Sequence, residues 1–235
     1  MKFSRFVTTC FSIVLLVLIA GCASLGGGQV SGINWALAKN GGKVSAFSEE
    51  SEHPASTLIN GITDSTKWDE GEGWEAQISI STEIRRTSRS QRDEEERYWV
   101  VIELSQPVTV SYVKINTVDS EKYPAKDFGI KDFLVQYELQ TVTKELMWAN
   151  VRRPGKRIGD QDNVIRNNTS GVIAVRFEPV NTRKIRLLIF DTNDSAKAEG
   201  GKAREKEGKI RLTEIGVYGT GKMKERDQLE TLFEK

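Results

Sequence analysis

The feature that most constrains the fold is a series of short segments in which apolar and polar residues alternate. Such alternation is typical of strands that place one face on a core. It recurs in residues 98–104, 108–118, 130–139, 171–180, 184–190 and 210–219. Gly, Pro and Asn turns divide these segments, and no long helical period interrupts residues 33–219. The sequence therefore predicts an all-β sandwich or barrel.

Two local patterns refine this prediction. The apolar parity of the second segment shifts between Val110 and Val113, which predicts a β-bulge. Residues 53–60, with Pro54 near their start, predict one short helical turn.

Residues 81–97 and 192–209 are polar and mix both charges. These two stretches predict long solvated loops between strands.

The N-terminus carries a targeting pattern. Lys2 and Arg5 precede an apolar run of 11 residues from Phe11 to Gly21. This run is shorter than the roughly 20 residues of a membrane span and suits a signal peptide. The run ends in "LIAGC", which resembles the lipobox of bacterial lipoproteins. The resemblance implies cleavage before Cys22 and lipidation of its thiol; the alternative is a plain secretory signal.

The residue after Cys22 is Ala23 rather than Asp. In lipoproteins of Gram-negative cells, this implies the outer membrane. Loss of Lys2 and Arg5 with residues 1–21 leaves 32 basic and 33 acidic side chains. This balance argues against a nucleic-acid-binding protein. The processed chain contains no cysteine after Cys22, so a disulfide is not predicted.

The processed chain divides into three parts. The Gly-rich residues 22–32 predict a flexible tether. Residues 33–219 are of a length that fits one domain. Residues 220–235 form a charged tail for which the sequence predicts a short amphipathic helix. The apolar residues on one side of that helix are Leu229, Leu232 and Phe233.

Four quoted blocks, in order, resemble discoidin domains, also called coagulation factor type C domains. They are "GGKVSAFSEESEHPASTLINGITDSTKWDEG", "YWVVIELSQPVTVSYVKI", "GIKDFLVQY" and "TRKIRLLIF...KIRLTEIGVYG". The resemblance covers residues 33–219. It implies an eight-stranded jelly-roll β-sandwich of the galactose-binding-like fold. It also implies a binding module similar to carbohydrate-binding modules of family 32.

Residues 60–74, "NGITDSTKWDEGEGW", concentrate oxygen ligands, glycines and two tryptophans. Such a loop holds an ion, binds a ligand or forms a tight corner. The discoidin resemblance implies a structural Ca²⁺ with ligands at Asn60, Thr63, Thr66 and Glu214, and Asp64 is a further candidate. Asn60 replaces the commoner Asp, which removes one negative charge. The alternative is a corner without metal, held by the Asn60 side chain and by Gly61 with positive φ.

Four side chains are candidates for ligand binding: His53, Trp74, Tyr123 and Arg152. Trp74 follows a polar stretch, which favours a position near the surface, where an indole can stack on a sugar. The alternative for Trp74 is packing at the edge of the core, and the alternative for His53 is a solvated loop residue. Trp68 stands at the core tryptophan position of the family.

The sequence contains none of the common catalytic motifs. The patterns GxSxG, HExxH and the phosphate-binding loop are absent, and His53 is the only histidine. We therefore expect a protein that is not an enzyme, and the discoidin resemblance implies that it binds carbohydrate at the cell envelope. The alternative is a structural or assembly lipoprotein that docks an envelope protein.

Overall fold

A computed structural model describes residues 32–81, 98–154, 164–197 and 205–221. The chain from Ser31 onward clusters as one compact unit. The signal peptide, Cys22 and most of the tether lie outside the described residues, as does the predicted tail helix. Within the described residues, no helix has the length and hydrophobicity needed to cross a membrane.

The described residues form nine strands, and every pairing between them is antiparallel. The strands are β1 (Ile33–Asn34), β2 (Lys43–Ala46), β3 (Trp74–Ser81), β4 (Trp99–Thr117), β5 (Ile130–Gln140), β6 (Leu146–Asn150), β7 (Val172–Thr192), β8 (Ala196–Lys197) and β9 (Glu205–Thr220). The helices are short: the 3₁₀ turns Ala38–Asn40, Ala55–Ile59 and Ser65–Glu70, and α1 (Ala125–Phe128). The predicted all-β sandwich is confirmed. The predicted number of eight strands fits this architecture, in which β1 and β8 are only two residues long.

The three longest strands change partners along their lengths. The strand order is β1-β9-β4-β7-β5-β6, with β2 on β4 and with β3 and β8 on β9. The first part of β4 pairs with β2 and with the second part of β7, and the second part of β4 pairs with β9 and with the first part of β7. The strands thereby build both layers of an open sandwich.

Register shifts mark the points where the ladder bends. One shift lies between Val110 and Tyr112, where the sequence predicts a bulge, and that prediction is confirmed. A second lies between Glu103 and Val108 and contains Pro107. Proline donates no ladder hydrogen bond and is tolerated at such irregular positions. The segments on either side of Pro107 are therefore one strand, and the predicted separation into two is wrong.

The sequence reading also missed strand structure. Strands β3 and β6 lie outside the predicted segments. The predicted loop 192–209 is partly wrong, because it contains β8 and the start of β9. Glu and Lys alternate there, so the segment lacks the apolar period by which strands are recognised.

The core is one contiguous cluster drawn mainly from β3, β4, β5, β7 and β9 and from the turn Ala55–Ile59. That turn begins after Pro54, as predicted. The largest fully buried side chains include Trp35, Trp74 and Phe133. Within the described residues, the cluster runs from Trp35 to Val217.

Candidate functional site

Residues 60–71 form a corner that the loop's own side chains hold in shape. The Asn60 Oδ1 accepts a hydrogen bond from the Ile62 N–H at 2.8 Å, and Gly61 has φ +90°. The Asp64 carboxylate caps the 3₁₀ turn Ser65–Glu70 by accepting from the Thr66 N–H and hydroxyl at 3.0 and 2.7 Å. These bonds lower the pKa of Asp64. The corner predicted from Asn60 and Gly61 is therefore present.

Trp68 anchors this corner to the domain, as the sequence predicted. Its side chain is buried, and the His53 ring stacks on it with centroids 4.2 Å apart. A Cβ on Gly73 would come within 2.6 Å of the Trp68 ring, and Gly73 has φ +99°. Only glycine gives both the conformation and the room at this position.

A small pocket opens between the turn Ser65–Glu70 and residues 119–123. Its volume is about 200 Å³. The lining residues are Ser65, Thr66, Trp68, Asp69, Ser120, Glu121, Lys122 and Tyr123. Pockets for drug-sized ligands measure about 300–1,000 Å³, so this one suits a single small polar molecule.

Asp69 is the polar centre of the pocket. One carboxylate oxygen accepts from the Lys122 Nζ at 2.7 Å, and the other accepts from the Tyr123 hydroxyl at 3.1 Å. The hydrogen bond from Lys122 lowers the pKa of Asp69, and the same bond raises the pKa of Lys122. Both side chains are more than half exposed, at 54% and 65%. An exposed pair of this kind contributes little to stability and can exchange its partners for those of a ligand.

Tyr123 is held from behind. The edge of the Tyr123 ring packs against Phe128 of α1 with centroids 5.5 Å apart, and the Arg211 guanidinium lies 5.3 Å from the Phe128 centroid. Arg211 is buried and donates to Glu75 at 2.9 Å and to Asp194 at 2.6 Å. Buried charges require such pairing. The pocket ring therefore rests on a fixed support that reaches β3 and β9.

The two walls of the pocket are joined by hydrogen bonds. The Ser65 Oγ accepts from the Asp119 N–H at 3.0 Å, and the Asp119 Oδ1 accepts from the Ala125 N–H at 3.0 Å. The Ser120 Oγ accepts from the Tyr123 N–H at 3.1 Å. Both serine hydroxyls act as acceptors in these bonds, so each retains its proton to donate to a ligand.

The four predicted ligand-binding residues do not form one site. Tyr123 lines the pocket. His53 lies behind Trp68 and is not a lining residue. Arg152 follows β6 and pairs with Glu178 of β7 at 3.4 Å, away from the lining set.

The prediction that Trp74 lies near the surface is wrong. Its side chain is 0% exposed, and its Nε1 donates to the Ser48 carbonyl at 2.9 Å. Trp74 begins β3, and Ala76 and Ile78 are buried with it at two-residue spacing. An enclosed indole has no face available for stacking on a sugar.

The predicted metal residues are brought together in part. Glu214 of β9 is buried, and its Oε2 accepts from the Gly61 N–H at 3.1 Å. Its other oxygen, Oε1, is buried without a hydrogen-bond partner. Burial raises the pKa of Glu214 to about 8, against the opposing effects of the Gly61 hydrogen bond and the Lys114 charge.

Thr63 is exposed, and the Thr66 hydroxyl is bonded to Asp64. No hydrogen bond joins Thr63 or Thr66 to Glu214 in the described part of the chain. There, no three His, Cys, Asp or Glu side chains cluster to hold a metal. The unpartnered Oε1 of Glu214 belongs to the carboxylate that contacts the Asn60–Gly61 turn, and a carboxylate oxygen is a ligand type that Ca²⁺ accepts.

Sequence reasoning missed Asp69 and Lys122 as site residues. They lie 53 positions apart, and nothing local to either predicts their contact. The available signal was the position of Lys122 next to Tyr123, which the sequence analysis predicts as a ligand-binding residue. Asp69 directly follows the buried Trp68 in the turn Ser65–Glu70.

No family model matches the chain. The search of curated proteins likewise finds no match. Among solved structures, it is similar to the family 32 carbohydrate-binding module of C. perfringens NanJ in complex with galactose, at 15% identity and TM-score 0.46, covering 77% of this chain and 95% of that one. It is also similar to the family 32 module of Streptococcus pneumoniae EndoD, at 16% identity and TM-score 0.45, covering 75% and 96%. A third similar structure is a Streptococcus pneumoniae fucose binding module, at 13% identity and TM-score 0.47, covering 83% of this chain and 100% of that one. Because TM-scores below 0.5 do not establish a shared fold, the architecture rests on the strand pairings described above.

Proposed function

We propose that this domain binds carbohydrate, without catalysis, in the pocket between the turn Ser65–Glu70 and residues 119–123. The observation that carries the proposal is the arrangement around Asp69. Its carboxylate meets the Lys122 ammonium and the hydroxyl of Tyr123, whose aromatic ring is half-buried. A sugar ring presents neighbouring hydroxyls that both donate and accept hydrogen bonds. Asp69 can accept from one such hydroxyl while Lys122 donates to the next.

The setting of Asp69 favours binding over proton transfer. A general acid needs a pKa near the operating pH, whereas the pKa of Asp69 lies below its ordinary value. The carboxylate therefore stays ionised as a hydrogen-bond acceptor. The discoidin resemblance of the sequence favours the same class of function.

Asp69→Asn is expected to weaken binding of a recognised sugar by about 10-fold to 100-fold, the usual effect of removing a hydrogen bond to a charged group. The amide keeps the shape but loses the charge that orders Lys122 and Tyr123. The experiment is a glycan array with protein from residue 31 onward, followed by calorimetric titration of the hits.

Asp127→Asn is the matched control, because Asp127 is an exposed carboxylate of α1 that does not line the pocket. It is expected to bind as the unaltered protein does. Equal affinity of the Asp69 and Asp127 variants, with both shown to be folded, would remove the pocket from consideration.

Calcium belongs to the proposal as a structural ion rather than as part of the pocket. Glu214 and the turn at Asn60 would hold it, with oxygens at Thr63 and Thr66 as further candidates. When bound, the ion would be a positively charged partner for the Glu214 oxygen that has no hydrogen bond. Glu214 and the turn at Asn60 would keep the corner 60–71 in the shape that positions the Ser65–Glu70 turn.

We further propose that a lipid on Cys22 anchors the domain to the outer membrane. Two or three acyl chains suffice for lasting attachment. Cys22→Ser is expected to abolish labelling by radioactive palmitate and to release the protein from the membrane fraction. Cys10→Ser is the control and should remain labelled. Persistent labelling of the Cys22 variant would contradict the anchor.

The second candidate function is docking of a protein partner at the envelope. This candidate requires that the exposed apolar side chains of the β5–β6 hairpin be covered by another protein rather than by the chain's own C-terminal tail. A silent glycan array from folded protein would favour this candidate over carbohydrate binding.

A further inference from the structure

The β5–β6 hairpin exposes more apolar surface than other parts of the described domain. Its exposed side chains are Leu139 (38%), Val142 (102%), Leu146 (61%) and Met147 (51%). We refer to these four residues as the hairpin patch. Strand β6 ends the described strand order, so it is an edge strand. Exposed apolar edges of this kind are usually covered, because they otherwise promote association.

Leu139 and Met147 of the hairpin patch continue the core, whereas Leu146 pairs with Gln140 and faces the other side of the hairpin. Phe133, Val135, Tyr137 and Leu139 alternate along one face of β5, and the first three pack in or against the core. Leu139 pairs directly with Met147 across the hairpin. The row therefore runs out of the core into solvent, where the described residues provide no opposing layer. A segment that covered Leu139 and Met147 would extend the core by one more layer of contacts.

The described chain ends at Gly221, after β9, and β4 and β7 separate β9 from β5 in the strand order. A Cβ on Gly221 would lie 3.7 Å from the Val108 Cγ1. Val108 pairs with Thr182, and the Thr182 Oγ1 donates to the Glu138 carbonyl at 3.0 Å. Glu138 precedes Leu139. Since neighbouring strands are about 5 Å apart, Gly221 lies within about 20 Å of the hairpin patch.

The tail, residues 222–235, has the composition to cover the patch. It carries Leu229, Leu232 and Phe233 within five positions. The other stretches outside the described part of the domain, 82–97, 155–163 and 198–204, each contain at most one large apolar residue.

We propose that residues 222–235 fold back over the β5–β6 hairpin and cover Leu139 and Met147 with Leu229, Leu232 and Phe233. The length suffices, because Phe233 is 12 residues beyond Gly221. That stretch spans about 18 Å as a helix and up to about 40 Å when extended. The hairpin patch is thus assigned to the chain itself rather than to a partner.

A cysteine cross-link tests this contact. The chain after Cys22 contains no cysteine, so introduced pairs react without competition. The experiment uses protein from residue 31 to residue 235, which retains the whole core. The pair Met147→Cys with Phe233→Cys is compared with Val172→Cys with Phe233→Cys under mild oxidation, followed by mass spectrometry.

Val172 is matched in exposure at 57% but pairs with Asn116 at one end of the β4–β7 ladder, ten residues along β7 from Thr182. A freely moving tail would reach both positions. We expect the Met147 pair to close an intramolecular disulfide about tenfold faster or more, because docking raises the effective concentration at that site. Equal rates for the two pairs would overturn the proposal. A disulfide formed mainly between two molecules would also overturn it and would identify a second copy as the occupant.

A second measurement avoids engineered cysteines. Leu229→Ser combined with Phe233→Ser is expected to increase binding of an environment-sensitive apolar dye while the far-UV circular dichroism of the β-sandwich is retained. Val142→Ser combined with Met147→Ser in that background should reverse the increase. Dye binding that the tail substitutions leave unchanged would contradict coverage of the patch.

Discussion

Replacing Trp74 with alanine is expected to lower the free energy of unfolding by about 3–5 kcal/mol. The indole is fully buried in the core cluster and donates its N–H to the Ser48 carbonyl. Truncation removes the buried ring, leaves a cavity and removes the donor to the Ser48 carbonyl. The measurement is urea unfolding followed by far-UV circular dichroism, since the substitution itself changes tryptophan fluorescence.

Trp148→Ala is the matched control. Trp148 is half-buried on β6 and lies under the Arg186 guanidinium, 4.5 Å from its ring centroid. Its loss is expected to cost about 1–2 kcal/mol, clearly less than the loss of Trp74. A Trp74 variant that unfolds at the same urea concentration as the unaltered protein would show that the indole is outside the core.

For Trp74, the loop-like composition of the residues before it concealed the strand alternation of the residues after it. The acidic, Gly-rich residues before it favour a loop, and that led to an expected surface position. The residues after it carry the strand signal, because Trp74, Ala76 and Ile78 alternate with polar neighbours. Within the described residues, strands with a clear apolar period were predicted, whereas β3, which starts at the end of a polar loop, was not.

Bulges were predictable only where the apolar parity changes. The shift from Val110 to Val113 stands in the sequence, and the bulge lies there. Pro107 signals an interruption equally well, but the interruption is a register shift within β4 rather than a turn. Whether a proline ends a strand depends on whether the partner strand continues beside it, and that partner is β7, more than 70 positions away.

The candidate site was less predictable than the fold because its contacts are long-range. Tyr123 was predicted as a ligand-binding residue, but its hydrogen bond reaches back 54 positions to Asp69. Its packing support reaches forward through Phe128 to Arg211. A single sequence shows which residue types are present in a loop but does not show which loops meet.

Glu214→Gln is expected to remove a pH dependence of unfolding that the unaltered domain shows between pH 5 and 8. Burial raises the pKa of Glu214 from 4.5 to about 8. The folded state therefore binds more protons than the unfolded state in this window. The free energy of unfolding must fall as the pH rises through it.

The contribution is complete below about pH 4.5 and is lost as the pH rises toward 8, with an expected total of about 2–4 kcal/mol after allowance for solvent screening. The Gln variant keeps the hydrogen bond from Gly61 without a titrating group. It is expected to be more stable than the unaltered protein at pH 8 and similar to it at pH 5. Urea unfolding at fixed pH intervals, with chelator throughout, measures both.

Calcium reverses the sign of this effect if it binds at Glu214. A cation beside the carboxylate favours the ionised form, so added Ca²⁺ should stabilise the unaltered domain most at pH 8 and flatten its pH profile. The Gln variant lacks the carboxylate and should show little Ca²⁺ dependence at any pH. If both proteins gain the same stability from Ca²⁺, the ion binds elsewhere. If the unaltered protein and the variant show parallel pH profiles in chelator, Glu214 is ionised in the folded domain and its unpartnered oxygen is reached by water.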